Sequence, residues 1–281
     1  MLGEFAPAKV NLFLSIIKKR EDGYHDIGTM FHTVSCGDVL FGELSDDGKI
    51  SVFYSESQEY PPEKDLIYKA AVKLKETFGV SSGVNFYLEK NLPLGAGLGG
   101  GSSDAAAALR LLNRLWGLNA NCSELEKIGS GLGADIAFFV KGGAALAEGI
   151  GDILTPQNPV NSESCVIVLA TPKCAVPTAE AYKDVIPAGK THWQNFVKNM
   201  NPLNDLHNQF EDTVLKKYPL INSLKQKLDA CGGKSLLSGS GASVFSLFSS
   251  LKSAVRAYDL VKEECRFLRI CRFYITQEFA A

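Results

Sequence analysis

From Pro93 to Asp104 the chain reads Pro-Leu-Gly-Ala-Gly-Leu-Gly-Gly-Gly-Ser-Ser-Asp, five glycines in twelve residues. Glycine gives up more backbone freedom on ordering than any other residue, so such a run is unsuited to the interior of a helix or strand. Its flanks say what it joins. Val84, Phe86 and Leu88 alternate with polar neighbours, the period of a half-buried strand. Ala105 to Leu112 is a run of strong helix formers. The stretch therefore predicts strand, glycine loop, helix, with Ser102, Ser103 or Asp104 as the helix cap. A helix start offers free N–H groups and partial positive charge, which suits phosphate.

No Gly-Lys-Ser or Gly-Lys-Thr closes the loop, so it is not the lysine-bearing phosphate loop. Gly95 to Gly100 fits a dinucleotide-binding turn only loosely and lies far from the N-terminus. On these residues alone, a structural turn without ligand stays open. The composition narrows the class. With 281 residues, 46% hydrophobic and 21% charged, the chain suits one large or two smaller globular domains. A net charge of −2 argues against non-specific nucleic-acid binding. Seven cysteines, an odd number with no Cys-x-x-Cys, read as reduced thiols rather than a disulfide framework or zinc site. No leader-like or long apolar run is present, so a cytoplasmic protein without membrane or nucleic-acid partners is expected.

Val10, Leu12, Leu14 and Ile16 alternate with Lys9, Asn11, Phe13 and Ser15, which predicts a strand with Lys9 and Asn11 on one face. A solvated lysine at a strand end is the plainer reading of Lys9. Residues 38–44 and 49–54 look like a hairpin around Asp46-Asp47-Gly48. Asp65 is placed to cap a helix over 66–74, and Ser123-Glu124-Leu125-Glu126 reads as a capping sequence. Asp135 stands among small and apolar residues, where a carboxylate needs a partner, a task or a helix end to cap. Two short strands are expected over 144–154, and Thr155 to Pro159 is the best boundary, dividing the chain into 1–157 and 158–281. Beyond it come a buried strand at 166–170, helices from Thr178, from Asn204 through Lys217, over 220–230 and over 253–264, and a last strand at 273–276. Ser235 to Phe248 places Ser-Gly-Ser-Gly between two short apolar strands.

Taken in order, Pro7-Ala8-Lys9-Val10-Asn11-Leu12, Pro93 to Ser103, and Leu237-Ser238-Gly239-Ser240-Gly241-Ala242 resemble the three motifs of the GHMP small-molecule kinases. Asp22-Gly23-Tyr24-His25, Gly133-Ala134-Asp135 and Ala147-Glu148-Gly149 through Pro156 narrow the likeness to the branch that phosphorylates the 2-hydroxyl of 4-diphosphocytidyl-2-C-methyl-D-erythritol, in non-mevalonate isoprenoid precursor synthesis. The resemblance implies an α+β fold, with an N-terminal domain of the ribosomal S5 type, a C-terminal ferredoxin-like domain and the site in the cleft between them.

It also implies roles. Pro93, Leu94, Gly95, Ala96, Gly97, Leu98, Gly99, Gly100, Gly101, Ser102, Ser103 and Asp104 would hold ATP, with Lys90 near the nucleotide. Asp135 would be the general base, and Lys9 beside it would keep it ionised and favour the developing alkoxide. Asn11 would hold the methylerythritol end, and Tyr24, His25, Phe31, Thr178 and Tyr182 the cytidine end. Ser102 or Ser103 would reach a magnesium ion carried with ATP. Glu148 is a weaker candidate, and no protein metal site is expected. The partner is a small molecule, and the chain a monomer or weak homodimer. Two positions depart from the family pattern. Ala137 stands where proline is usual, and Asp65 where asparagine is common, at a position associated with adenine. Homoserine or mevalonate kinases lack the Gly-Tyr-His segment here. A non-catalytic nucleotide binder would be expected to have lost Lys9 or Asp135. A dinucleotide-dependent dehydrogenase would show repeated βαβ units.

Overall fold

The structure, a computed structural model, describes residues 1–55, 61–161, 163 and 165–275. Two long strands form its spine. β1 (Leu2–Lys19) and β2 (His25–Ser45) pair antiparallel along nearly their whole lengths. The alternation in β1 predicts one wet face, yet every residue from Ala6 to Ile17 is buried. Both faces are covered because β1 lies between layers of the molecule, so Lys9 is only 6% exposed rather than solvated.

β3 (Ile50–Tyr54) follows, then α1 (Leu66–Phe78) and β4 (Gly83–Glu89). The hairpin expected between 38–44 and 49–54 does not form. β4 inserts between β2 and β3, antiparallel to the first and parallel to the second. The crossover lays the apolar face of α1, with Ile67, Ala70, Ala71 and Leu74, on the sheet. A hairpin would have satisfied the turn and left that face uncovered. Asp65 caps α1 as expected, its Oδ1 accepting from the amides of Ile67 at 2.5 Å and Tyr68 at 3.2 Å. Such a cap contributes about 1 kcal/mol.

α2 (Gly100–Leu115), α3 (Cys122–Ser130) and α4 (Ala134–Lys141) join α1 on the same face. Leu40, Val84, Phe86, Leu109, Leu125 and Phe139 fill the space between. The cap of α3 is Asn121, not Ser123: Asn121 Oδ1 accepts from the Glu124 amide at 3.1 Å, and Glu124 Oε2 from the Asn121 amide at 2.8 Å. Both registers satisfy the capping pattern locally. The Asn113 side chain decides by pinning both the N–H and the C=O of Ala120 at 2.9 Å, just ahead of Asn121. β5 (Ala144–Glu148) and β6 (Ile153–Gln157) form the expected pair, and β5 also joins β2.

The second half begins with β7 (Val166–Pro172), α5 (Thr178–Asp184) and α6 (Lys190–Asn199). Where a helix was expected from Asn204, His207–Asn208 form β8, parallel to β1, and α7 (Glu211–Lys217) starts only afterwards. Two residues are too few to show a period, and edge pairing with β1 decides them. α8 (Pro219–Ala230), β9 (Lys234–Leu237), β10 (Val244–Phe248), α9 (Leu251–Val261) and β11 (Cys265–Cys271) follow. The expected last strand at 273–276 is displaced. β11 takes the edge place beside β7, Phe273 makes only an isolated bridge to Val34, and Thr276 lies outside the described residues. This second sheet runs β11-β7-β10-β9, and with α8 and α9 it has the β-α-β-β-α-β order of a ferredoxin-like unit.

The first sheet runs β3-β4-β2-β1-β8, with β5 and β6 branching from β2. Between the two sheets, Val10, Phe13, Met30 and Leu98 meet Ile167, Leu169, Phe196 and Phe245. Phe13 and Phe196 stack with ring centroids 4.1 Å apart. Each fully buried side chain of this kind contributes about 1.5–3 kcal/mol. The two halves are therefore joined through a continuous apolar layer, which runs alongside the buried Lys9 and Asn11 of β1.

Candidate functional site

Three segments far apart in sequence, the Lys9 stretch of β1 and two glycine loops, touch here. The Lys9 amide donates to Leu98 O at 3.0 Å, and the Ser243 amide to Ala96 O at 3.2 Å. Ser238 Oγ donates to Gly97 O at 3.0 Å. Gly97 has φ 77°, and a Cβ there would stand 2.1 Å from Ser238 O, so the approach of the two loops requires glycine. Asn208 fastens the third segment to the first. Its Nδ2 donates to Leu237 O at 2.7 Å and Gly239 O at 2.8 Å, while its backbone pairs with Leu14. The sequence reading missed Asn208, because it fell inside a predicted helix.

The loop between β4 and α2 forms a cavity of about 240 Å³ lined by Leu66, Lys90 and every residue from Pro93 to Ser102. The expected side-chain cap of α2 is absent. The helix begins earlier, with Gly99 at φ 70° as its N-cap, which puts Ser102 and Ser103 inside the first turn. Helix-start amides without intrahelical acceptors belong to this lining. Ser103 and Asp104 turn inward instead and are buried. Asp65 lies just outside, its carboxylate engaged by the α1 cap and by the Tyr54 hydroxyl.

Lys90 Nζ sits 2.6 Å from both Asp38 Oδ2 and Asp104 Oδ2. Burial works against its ammonium, but the two carboxylates more than reverse this and hold its pKa above the usual lysine value. Asp104 shows the opposite strain. Burial, reinforced by the Asp38 charge and opposed by Lys90, pushes it up to about 8. Asp104 Oδ1 and Ser103 Oγ are buried without a hydrogen-bond partner. Asp38 is a second residue the sequence reading passed over. Its one available signal was a carboxylate opening an otherwise apolar strand run.

Lys9, Asn11, Asp135 and Phe31 come together on the other side of the glycine loop. Lys9 Nζ donates to Asn11 Oδ1 at 2.8 Å and lies 3.8 Å from Asp135 Oδ2, an ion-pair distance too long for a hydrogen bond. Asn11 is oriented by Nδ2 donating to Thr29 Oγ1 at 2.8 Å. The Lys9 ammonium stands 4.8 Å above the Phe31 ring. Burial draws the Lys9 pKa below its usual value, with Asp135 opposing. Asp135 occupies the first turn of α4 and keeps an open side, its side chain 31% exposed.

The five residues expected at the cytidine end divide. His25 and Tyr182 face each other across the two halves, ring centroids 5.0 Å apart and tilted by 31°. Burial, then the charge of Asp135, pushes the Tyr182 phenol up to about 12. Tyr24, next to His25 in sequence, is 62% exposed. Thr178 is exposed at the start of α5 and bonded to Ser240 Oγ at 3.2 Å. Phe31 is only 2% exposed and packs on Phe138, so in this arrangement it supports Lys9 and offers no face to a base.

Glu148 accepts from Trp193 Nε1 at 2.9 Å, which ties it to packing. Among the described residues no group of three or more His, Cys, Asp or Glu is arranged to hold a metal ion. A larger cavity of about 1530 Å³, between Glu4, Arg114, Asn119 and Tyr274, is lined by none of the candidate site residues. No helix among the described residues is long and apolar enough to cross a membrane.

The family model for the GHMP kinases N terminal domain matches residues 65–143, and that for the GHMP kinases C terminal matches residues 189–266. The 4-diphosphocytidyl-2-C-methyl-D-erythritol kinase of Exiguobacterium sibiricum is 40% identical over 278 residues, covering 95% of this chain and 96% of that protein. The enzyme of the same name from Clostridium beijerinckii is 36% identical over 280 residues, covering 95% and 98%. A crystal structure of 4-(cytidine 5'-diphospho)-2C-methyl-D-erythritol kinase superposes with a TM-score of 0.79 at 31% identity, covering 96% of this chain and 98% of that one. A homoserine kinase from Cytophaga hutchinsonii superposes at 0.76 with 20% identity, covering 98% and 94%, a likeness of fold alone.

Proposed function

This chain belongs to the 4-diphosphocytidyl-2-C-methyl-D-erythritol kinases, with the two-domain GHMP kinase fold, and from that premise we propose that Lys9 and Asp135 act on the 2-hydroxyl of 4-diphosphocytidyl-2-C-methyl-D-erythritol while Lys90 and the 93–103 loop hold ATP. The reaction is an ATP-dependent phosphorylation in isoprenoid precursor synthesis. The observation that carries the assignment is the Lys9–Asp135 pair, 3.8 Å apart, held against the glycine loop by the Lys9 amide to Leu98 O contact.

Phosphoryl transfer needs positioning and charge neutralisation more than covalent help. The acceptor hydroxyl gives its proton to Asp135 as its oxygen bonds to the γ-phosphorus. The bond from that phosphorus to the β–γ bridging oxygen breaks, and ADP leaves. Lys9 is placed to neutralise the developing alkoxide, an effect strongest where water is excluded. Asn11 fixes the direction of the Lys9 ammonium and presents its amide to the methylerythritol end. His25 and Tyr182 are the better pair for the cytosine ring, with Tyr24 free to close over it and Thr178 at the rim. Phe31 serves that end indirectly, as the surface under Lys9. On this reading the first 157 residues carry ATP and the rest close over the acceptor.

Magnesium belongs to the same proposal. The unpartnered Ser103 hydroxyl and the cavity-lining Ser102 fit an ion bound mainly by phosphate oxygens and water. When bound, it neutralises phosphate charge. The chain is taken to work as a monomer or weak homodimer.

The test is ADP release with ATP and magnesium in the presence of diphosphocytidyl-methylerythritol, homoserine or mevalonate, with the product located by phosphorus NMR. Release with the first alone, and phosphate on its 2-hydroxyl, is expected. Turnover of another acceptor would overturn the cytidine pocket, and none with any acceptor would overturn catalysis.

A further inference from the structure

Asp38 lies where β4 leaves the sheet. The last register pair between β2 and β4 is Val39 with Glu89, so the strand amides beyond it have no ladder partner on β2. The Asp38 carboxylate replaces that ladder. Oδ1 accepts from the amides of Asn91 at 2.5 Å and Leu92 at 2.7 Å, the two residues that lead into the glycine loop. Oδ2 takes the Lys90 ammonium at 2.6 Å. The side chain is fully buried, and all three donors converge on it. A buried carboxylate with three donors is costly to disturb, because removing it strands each donor away from water.

Lys90 in turn lines the loop cavity, and its Nζ lies 3.2 Å from where a Cβ on Gly100 would be, at the first residue of α2. Its second anchor, Asp104 Oδ2 at 2.6 Å, belongs to the same helix. Two of the three ammonium protons are thus spoken for by carboxylates. One carboxylate on β2 therefore sets the exit direction of the loop and, through Lys90, its distance from the helix start.

We propose that Asp38 is a positioning residue for ATP, aiming the Lys90 ammonium so that its remaining proton faces the polyphosphate across the glycine loop. This rests on the ATP site proposed above. Asp38 touches neither nucleotide nor acceptor and acts through Lys90.

The experiment separates its two jobs. Asp38→Asn keeps an oxygen for the Asn91 and Leu92 amides but turns an NH₂ group toward Lys90. Calorimetric titration with ATP, without acceptor, is expected to give a Kd raised about tenfold to a hundredfold, the scale of effect for a displaced positioning group. In steady state the KM for ATP rises with it, while the KM for the acceptor is unchanged. In a Lys90→Met background the same substitution should add little, since the cycle then has no lysine to aim. An unchanged Kd in Asp38→Asn, or full additivity with Lys90→Met, overturns the proposal. A purely structural role would lower the melting temperature without changing the Kd of the folded fraction. If Asp38→Asn does not fold, Asp38→Glu takes its place: its longer side chain displaces Lys90 with charge kept, so a raised Kd supports the proposal and a wild-type Kd overturns it. The calorimetric titration omits the acceptor, so a failed acceptor assay would sink the substrate assignment and leave this measurement standing.

Discussion

Two lysines flank the glycine loop and are treated in opposite ways. Lys90 has two carboxylates at 2.6 Å and a raised pKa. Lys9 has one at 3.8 Å, a neutral amide at 2.8 Å and a lowered pKa. The difference is one of compensation. A buried ammonium with two close anions is an anchored, permanent charge. One with a distant anion keeps part of its desolvation cost uncompensated and gains most when new negative charge appears beside it. On the proposed assignment, the nucleotide side is built for holding and the acceptor side for responding.

The sharpest way to break that contrast is Asp135→Asn. If the acceptor side does the chemistry, kcat falls by about 10²–10⁴, the range for a lost general base, while the calorimetric Kd for ATP stays near wild type. Comparable losses in both would make the sides one unit.

Lys9→Met comes next. Removing a group that meets developing charge typically costs about 10²–10³ in kcat. A variant that raised the ATP Kd instead would show Lys9 to be a second anchor. His25→Ala tests the far end of the acceptor side. Loss of a stacked base is worth about 1–3 kcal/mol, so steady-state assays should show the acceptor KM rising with kcat nearly kept.

The smallest effect is the most direct comparison. Lys9 should lose its proton below the usual lysine pKa of 10.5 and Lys90 above it. On the proposed role the charged form of Lys9 is the useful one, so kcat should fall as pH rises through its lowered pKa, before Lys90 titrates. Nitrogen NMR of labelled lysine side chains reads both, and coincident titrations would erase the distinction.

The two sides also differed in how far the sequence exposed them. Glycine spacing announces the loop because a backbone that must run against another, as Gly97 does against Ser238, tolerates nothing else. Asp135 stands out as a charge in apolar surroundings, with a helix cap equally open, whereas Lys9 reads locally as a solvated lysine and gains a role only from the family resemblance. Asp38 and Asn208 did not stand out. Each matters only through partners on another strand, Asp38 across from β4 and Asn208 beside β1. For Phe31 the resemblance implies the cytidine end and the sequence leaves packing equally open; its burial and its place beneath Lys9 are visible only in the tertiary structure.

The chain by itself determined its local elements: the Asp65 cap, the glycine loop before α2, the β5–β6 pair and the three motifs that mark the family. These depend on propensities and periods within a few residues. Tertiary structure alone decided that β4 divides β2 from β3, that His207–Asn208 is a strand, and that Lys9 is buried. Strand partners and burial are set by which apolar faces must cover one another across the whole chain, and no local window contains that competition.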